Sequence, residues 1–475
     1  MALIFCFAGL SAEASPRTVF VQLFEWPWKD IARECELYLG PAGFAAVQVS
    51  PPHEHIHWSG SPWWERYQVA SYKIESRSGS EAEFADMVQR CHQVGVDIYA
   101  DVVLNHMAGV PSGTGSAGSP FTQYNYPGIY GYNDFHHCGR NGNDHIVNFN
   151  DLYELQNCEL VGLADLATES LNVQSHEVAY LNHLLDLGVN GFRVDAAKHI
   201  PAKDLQKIFS GLKRSAYIYQ EVIYDPAGPV QYSDYTPVGD VTAYDYAHRI
   251  GDAIKSKNIN ALTTIANNLP ATDDAIVFLT NHDLERGGDS AILRYSSQDQ
   301  TLYRLAQIFM LAWPYGYPQL YSGFDFKNYD QGPPLDSALH TLPILDNQSH
   351  CTAPWTCEHR APEVAAMVDF RNNTDHAFSA SNWWSNGQDQ LSFNRGNLGF
   401  VAINFSGNPL PKEFQTGLPA GSYCNMAGSS YNPTTHTCSQ SVVVDNNGIA
   451  RITLNSYSAL VLLNRSQAAK KATTP

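Results

Sequence analysis

Four short stretches place acids, histidines and an arginine at the ends of apolar, β-branched runs. DVVLNH carries Asp101, Asn105 and His106, and GFRVDAAKH carries Arg193, Asp195, Lys198 and His199. YQE ends on Glu221, and FLTNHD carries Asn281, His282 and Asp283. A single Asp after a strand is most often a helix cap. Capping does not account for three acids framed by histidine and arginine. Two carboxylates flanking one glycosidic bond are what glycoside hydrolysis needs, one as acid and the other as nucleophile or base. Arg193 stands two residues before Asp195, so both side chains leave the same side of a strand. A fixed cation there keeps the aspartate ionised. The histidines stand beside acids and never as an HxH pair, which argues against a metal-dependent hydrolase with an open metal site.

Acids from separate strands converge at the mouth of a barrel. Strand-like runs lie near Val19–Phe24, Phe44–Val49, Asp97–Leu104, Gly191–Asp195 and Ala216–Glu221, with further ones near Asp240–Tyr244, Ala275–Leu279 and Pro318–Tyr321. Helical patterns such as Glu81–Val94 and Glu177–Leu187 lie between them. Alternating strand and helix predicts a parallel sheet. About eight such units predict an α/β fold of the (β/α)8 TIM-barrel kind, with chemistry at the C-terminal strand ends. Residues 106–168 are rich in Gly, Asn, Tyr and Pro without a clear helix. They read as an irregular domain inserted after strand three, which leaves 15–105 and 169–378 for the barrel. From residue 379 to 467 short alternating strands (Leu391–Phe393, Gly399–Asn404, Ser441–Asp445, Ile452–Leu454, Ala459–Leu463) predict an antiparallel β-sandwich. The tail 468–475 reads as disordered.

The 475 residues carry 29 Lys+Arg against 47 Asp+Glu, a formal charge of −18. That balance argues against nucleic acid and anionic membrane as partners. Charged residues are 16% and aromatics 12%, which excludes disorder for the bulk of the chain and suits a neutral, polar ligand such as a sugar. Residues 1–14 combine an apolar run with a small-x-small site and resemble the end of a secretory signal peptide. No other apolar run is long enough to span a membrane. Beyond Cys6 there are eight cysteines, which in an exported chain suggest disulfides. Sequence proximity suggests Cys138–Cys158, Cys351–Cys357 and Cys424–Cys438, leaving Cys35 and Cys91. Sequons begin at Asn347, Asn372, Asn404 and Asn464 and fit a secreted glycoprotein.

In order and spacing, DVVLNH, GFRVDAAKH, the QE after strand five and FLTNHD resemble the signature regions of glycoside hydrolase family 13. QLFEW, PPHEH, PWWERYQ, WPYGYP and CEHR are similar to the α-amylases of animal type, as is the cysteine pattern. The resemblance implies a secreted, monomeric endo-hydrolase of α-1,4-glucans such as starch, glycogen and maltooligosaccharides. In it Asp195 is the nucleophile, Glu221 the general acid and Asp283 the transition-state stabiliser. Glu221 then needs a raised pKa. His106, His282, Gln68 and Arg193 fall at substrate-contacting positions, and Lys198 and His199 on the product side. Trp63, Trp64 and Tyr67 offer flat faces for sugar rings. Trp63 and Tyr67 are the better stacking candidates, and Trp64 the better candidate for the core.

The resemblance also implies a structural calcium ion held by Asn105, Asp165, the carbonyl of His199 and a carbonyl at Gln156, all oxygen donors as calcium prefers. Animal-type members bind a chloride between Arg193, Asn281 and a second arginine. Here Gln319 stands at that arginine's position, and no arginine occurs between Arg304 and Arg360. The chain is therefore expected not to require chloride. Two other readings remain open at this point: a transglycosylating member of the family, and a non-catalytic carbohydrate-binding protein. Proteins of the second kind typically lose a catalytic acid, and this chain keeps three.

Overall fold

A computed structural model describes residues 17–465 apart from 296–297, 429, 433–434 and 436. The signal-peptide reading of 1–14 and the tail 468–475 lie outside the described residues. Eight parallel strands close into a barrel in the order β1-β8-β7-β6-β5-β4-β3-β2. They are β1 Phe20–Leu23, β2 Ala46–Val49, β3 Asp97–Val102, β4 Gly191–Val194, β5 Tyr217–Gln220, β6 Asp240–Thr242, β7 Ala275–Val277 and β8 Tyr317–Ser322. The barrel closes where Phe20 of β1 pairs with Gln319 of β8. All eight coincide with runs read from the sequence. Such strands are buried on both faces, by helices outside and by side chains inside the barrel, so they read as continuous apolar stretches.

The barrel interior is layered. Its lower part is aromatic: Phe20 meets Tyr99, Tyr219 and Tyr317 at ring-centroid distances of 5.6, 5.6 and 4.8 Å. Above it lies a buried polar layer. Gln48 of β2 accepts from Gln319 Nε2 at 2.7 Å and from Tyr219 OH at 2.8 Å. Gln48 in turn donates to Asp101 Oδ2 at 3.3 Å. The acids stand directly on this layer.

The helix over Glu81–Gln93 starts at a capping box, in which Ser80 N–H donates to Glu83 Oε2 and Glu83 N–H to Ser80 Oγ. It covers the predicted span. The helix expected at Glu177–Leu187 runs over Leu171–Asp186. Ser170 caps it by accepting from Val173 N–H, and its first turn shows no apolar period because Leu171 is solvent-facing. The irregular excursion 106–168 that follows β3 contains one short α-helix, Leu152–Asn157, where none was expected. It returns beside its start: Leu166 N–H donates to Asn105 O at 2.9 Å, and His106 bridges Asp165.

Beyond the barrel, two antiparallel four-stranded sheets pack face to face. One has the order β9 (Ser381–Ser385), β10 (Gln390–Arg395), β11 (Gly399–Asn404), β16 (Ser458–Leu463). The other has β12 (Leu410–Gln415), β15 (Ile449–Leu454), β14 (Ser441–Val444), β13 (Gly421–Cys424). Phe400, Phe414, Tyr423, Leu460 and Leu462 fill the space between them. The four disulfides are Cys35–Cys91, Cys138–Cys158, Cys351–Cys357 and Cys424–Cys438. Two of the four sequon asparagines are buried. Asn404 is fully buried and donates to Asn408 O and Asn455 O. Buried Asn372 binds Thr18 and the carbonyl of Gly43. Both amides are occupied within the fold, whereas Asn347 is exposed.

Candidate active site

A cleft of about 420 Å³ opens at the C-terminal ends of the barrel strands. Asp195, Glu221 and Asp283 line it, each just past the end of β4, β5 or β7. A larger cavity, about 710 Å³, lies between Tyr72, Tyr126 and Tyr180 and contains none of the three acids; it is remote from this chemistry.

One guanidinium organises the floor. Arg193 Nη1 donates to Asp195 Oδ1 at 2.6 Å and to Asp101 Oδ1 at 2.9 Å. Its Nη2 lies 3.0 Å from Glu221 Oε1. Asp101 also accepts from Tyr67 OH at 3.0 Å. Glu221 Oε2 accepts from the N–H of Ala196 at 2.8 Å, and Oε1 accepts from Tyr244 OH at 2.8 Å. Tyr244 OH is itself held by Asn281 Nδ2 at 2.9 Å.

One cation among this many acids divides their proton affinities. Burial raises Asp195 well above the usual aspartate range; Arg193 pulls it back down, while the charges of Glu221 and Asp101 push it up. Asp283 is pushed up to about 7 by burial in the cleft wall and by the charge of Glu221. Burial would also raise Glu221, but Arg193, the Ala196 N–H and the Tyr244 hydroxyl together hold it below the ordinary glutamate value. The expectation of a raised Glu221 is thus not met in the substrate-free cleft, because three donors converge on its charged form.

The two histidines beside the acids are neutral. Burial lowers His106 to about 4, and burial with Arg193 and Arg286 lowers His282 well below the usual value. Gln22 Nε2 donates to His282 Nδ1 at 3.0 Å, which leaves the proton on Nε2, 3.4 Å from Asp283 Oδ2. His106 Nε2 donates to the Tyr67 carbonyl at 3.0 Å. Tyr67 stacks on His282 with centroids 5.2 Å apart.

Trp63, Trp64, Tyr67, His106, Lys198, His199 and His282 all line the cleft. The order of the tryptophans is reversed from expectation. Trp63 is buried, its indole N–H donating to Tyr329 O, while Trp64 is partly exposed and donates to Asp330. Gln68 turns away, its Oε1 accepting from Gly109 N–H. Arg193 lies beneath the floor. The sequence reading missed Tyr244 and the apolar rim of Phe149, Val161, Ile223 and Tyr329. Tyr244 follows β6, so a search of every strand end would have found it.

The residues expected around calcium form two local pairs. Asn105 Nδ2 lies 3.3 Å from Asp165 Oδ1, Gln156 Nε2 donates to Lys198 O at 3.4 Å, and His199 Nδ1 donates to Leu155 O at 2.9 Å. Asp165 is buried and also pairs with His136 Nδ1 at 2.7 Å. Among the described residues there is no group of three or more His, Cys, Asp or Glu suited to a metal. The expected set holds a single carboxylate, its other donors being amide and backbone oxygens, and such a set fits a hard cation of calcium type.

A closed parallel barrel with clustered carboxylates at its C-terminal mouth is an architecture on which glycoside hydrolases are built. Residues 37–217 match the model of the α-amylase catalytic domain, and residues 383–465 that of the α-amylase C-terminal all-beta domain. The chain is 43% identical to the α-amylase of Tribolium castaneum, covering 96% of each sequence. It is also 43% identical to the α-amylase of Tenebrio molitor, over 93% of this chain and 96% of that one. α-Amylase I of Eisenia fetida, solved as a mutant in complex with maltohexaose, superposes with a TM-score of 0.87 at 36% identity, covering 95% and 98% of the two chains. The chain belongs to the α-amylase family, glycoside hydrolase family 13, of animal type.

Proposed function

We propose that this protein hydrolyses internal α-1,4-glucosidic bonds of starch, glycogen and maltooligosaccharides with retention of configuration. The observation that carries this is the single guanidinium of Arg193, which touches Asp195 and Glu221 with its two terminal nitrogens. Sharing one planar fork keeps the two carboxyls close. Retaining enzymes need them about 5–5.5 Å apart, and inverting ones need more room for a water.

In this mechanism Asp195 attacks the anomeric carbon while Glu221 gives its proton to the leaving oxygen. Glu221 then takes a proton from the water that releases the glycosyl-enzyme. Asp283 and His282 hold the hydroxyls of the distorted ring. The acid cluster outnumbers its cation, so the empty site keeps a proton on Asp195 or Asp283. Substrate binding has to shift the proton from the nucleophile to Glu221, a transfer that conserves the buried charge and is driven by the different surroundings the bound sugar and the displaced water give the two carboxyls. Trp63, Trp64 and Tyr67 form the sugar-facing wall, and Lys198 and His199 the product side.

Asn105, Asp165 and the carbonyls of His199 and Gln156 would hold calcium, whose chemistry here is structural cross-linking of the excursion to the barrel. Chloride is not required on this reading. Gln319 is a buried member of the neutral glutamine layer, and Asn281 and Arg193 already serve Tyr244 and the acids. The division into a barrel (15–105, 169–378), an inserted domain (106–168) and a β-sandwich (379–467) is supported by where the chain leaves and rejoins the barrel. Secretion is supported by the four disulfides. Among the described residues, no helix is long and apolar enough to cross a membrane.

The test is incubation with soluble starch, following product size and anomer. Early internal cleavage with α-anomeric first products is expected. β-Anomers would refute retention, and absence of cleavage would refute the enzyme.

A further inference from the structure

Glu221 has two oxygens and about four acceptor positions. Oε1 accepts from Tyr244 OH at 2.8 Å and faces Arg193 Nη2 at 3.0 Å. Oε2 accepts from the Ala196 N–H at 2.8 Å. A proton on Oε1 would point at a guanidinium or a phenol that are both donors. Oε2 keeps a position open. The phenol cannot turn away without cost, because Asn281 Nδ2 donates to its oxygen at 2.9 Å. Asn281 is in turn fixed by its own carbonyl, which accepts from the N–H groups of Asp283 and Leu284 at 3.1 and 2.8 Å. The edge of the Tyr244 ring packs against Phe278, with centroids 5.1 Å apart. A hydrogen-bonded chain therefore runs from the loop after β7, through the residue after β6, to the acid after β5.

We propose that Tyr244 is a positioning residue for the general acid: by occupying Oε1 it confines the transferable proton to Oε2 and fixes the rotation of the carboxyl. This rests on the assignment of Glu221 as the acid. The hydroxyl takes no part in proton transfer and keeps its own proton throughout. It holds one oxygen in the carbonyl role while the other alternates between acid and base. Such a fixed assignment matters because the proton must reach one lone pair of the leaving oxygen, and a carboxyl protonated on the wrong oxygen delivers nothing.

The groups that set the charge around Glu221 stay in place when the phenol is changed. They are Arg193 and Asp195 on and after β4, Asp101 on β3 and Asp283 after β7. Lys198, His199 and His106 stand further out. Removing the hydroxyl deletes one donor to the charged form, so Glu221 binds its proton more tightly.

The test compares Tyr244→Phe with the unaltered enzyme on starch and on a dinitrophenyl maltooligoside, whose leaving group needs no proton. The expected result on starch is a fall in kcat/KM of about tenfold, less than the roughly 100- to 1000-fold lost with a donor aimed at the reacting oxygen itself, because Tyr244 acts through Glu221. The basic limb of the pH profile moves to higher pH. On the activated substrate the loss shrinks to within about twofold, since no acid is needed there. Equal losses on both substrates with an unmoved basic limb would overturn the proposal and leave Tyr244 as packing alone. Unchanged kinetics on both would overturn it as well. The melting temperature shows that the variant is folded, and Asn281→Ala supplies a second variant that releases the phenol without removing it. Failure of the unaltered enzyme to cleave starch would instead bring down the α-amylase reading on which this rests.

Discussion

Replacing Arg193 by Gln isolates the electrostatics of the floor. The guanidinium touches three carboxylates at 2.6, 2.9 and 3.0 Å. At an effective permittivity near 20, unit charges about 3 Å apart attract by roughly 5 kcal/mol, and one pH unit corresponds to about 1.4 kcal/mol. Partial compensation by the glutamine amide and by water reduces the effect on Asp195 to about 1–3 pH units. In the proposed mechanism Asp195 must be ionised to attack, so the acid limb of kcat/KM should rise by that amount. At a pH halfway between the two limbs the loss should run from about threefold for a shift of one pH unit to about thirtyfold for three. Stability should follow with a definite sign. Without their cation the buried acids hold protons more tightly folded than unfolded, so the native state binds more protons and stability falls as pH rises from about 4 toward the folded values. The melting temperature of Arg193→Gln should therefore lie further below wild type at pH 8 than at pH 5, with a cost at the higher pH of about 3–5 kcal/mol. The assays are a pH series of initial rates on soluble starch and paired thermal melts. An acid limb that stays where it is, with melting losses equal at both pH values, would refute the reasoning.

Asp195→Asn should retain maltooligosaccharide binding by calorimetry while losing nearly all turnover; more than a small residual rate would remove it as nucleophile. Chelation of calcium should lower the melting temperature, since a ligand that binds only the folded state stabilises it, and Asp165→Ala should reproduce the chelated value. An unchanged melt after metal removal verified by elemental analysis would discard that site. Turnover in chloride-free buffer should match that in sodium chloride at equal ionic strength, and Gln319→Arg should move the enzyme toward chloride dependence. A many-fold activation of the unaltered enzyme specific to chloride would overturn that assignment.

What could be read in the sequence followed from where each element lies. The eight barrel strands are buried on both sides and announced themselves as apolar runs. In the C-terminal sheets the missed strands were β9, β12 and β13, and all three are edges. Edge strands are kept polar and interrupted: β12 reads LPKEFQ, with Pro411 and two charges. The three acids of the cleft were legible because a carboxylate after a β-branched run is rare in three places at once. The lowered Glu221 was not, because its donors come from β4, the turn after it and the residue after β6, which no local pattern connects. The exposure of the two tryptophans was equally hidden. Trp63 and Trp64 are neighbours on one short 3-10 turn, and only the backbone direction decides which of them faces inward.

The excursion that walls the cleft begins and ends side by side, with Leu166 N–H bonded to Asn105 O and His106 bridged to Asp165. A segment so joined is, for the barrel, a detour that leaves the register of β3 and β4 untouched. Doubling the length of such a detour costs only about 0.6 kcal/mol of closure entropy. Insertions and deletions there can reshape one bank of the substrate channel while the acids and their shared arginine stay fixed. The scaffold thus separates the chemistry it performs from the breadth of polymers it admits, and a lineage could change diet by editing the detour alone.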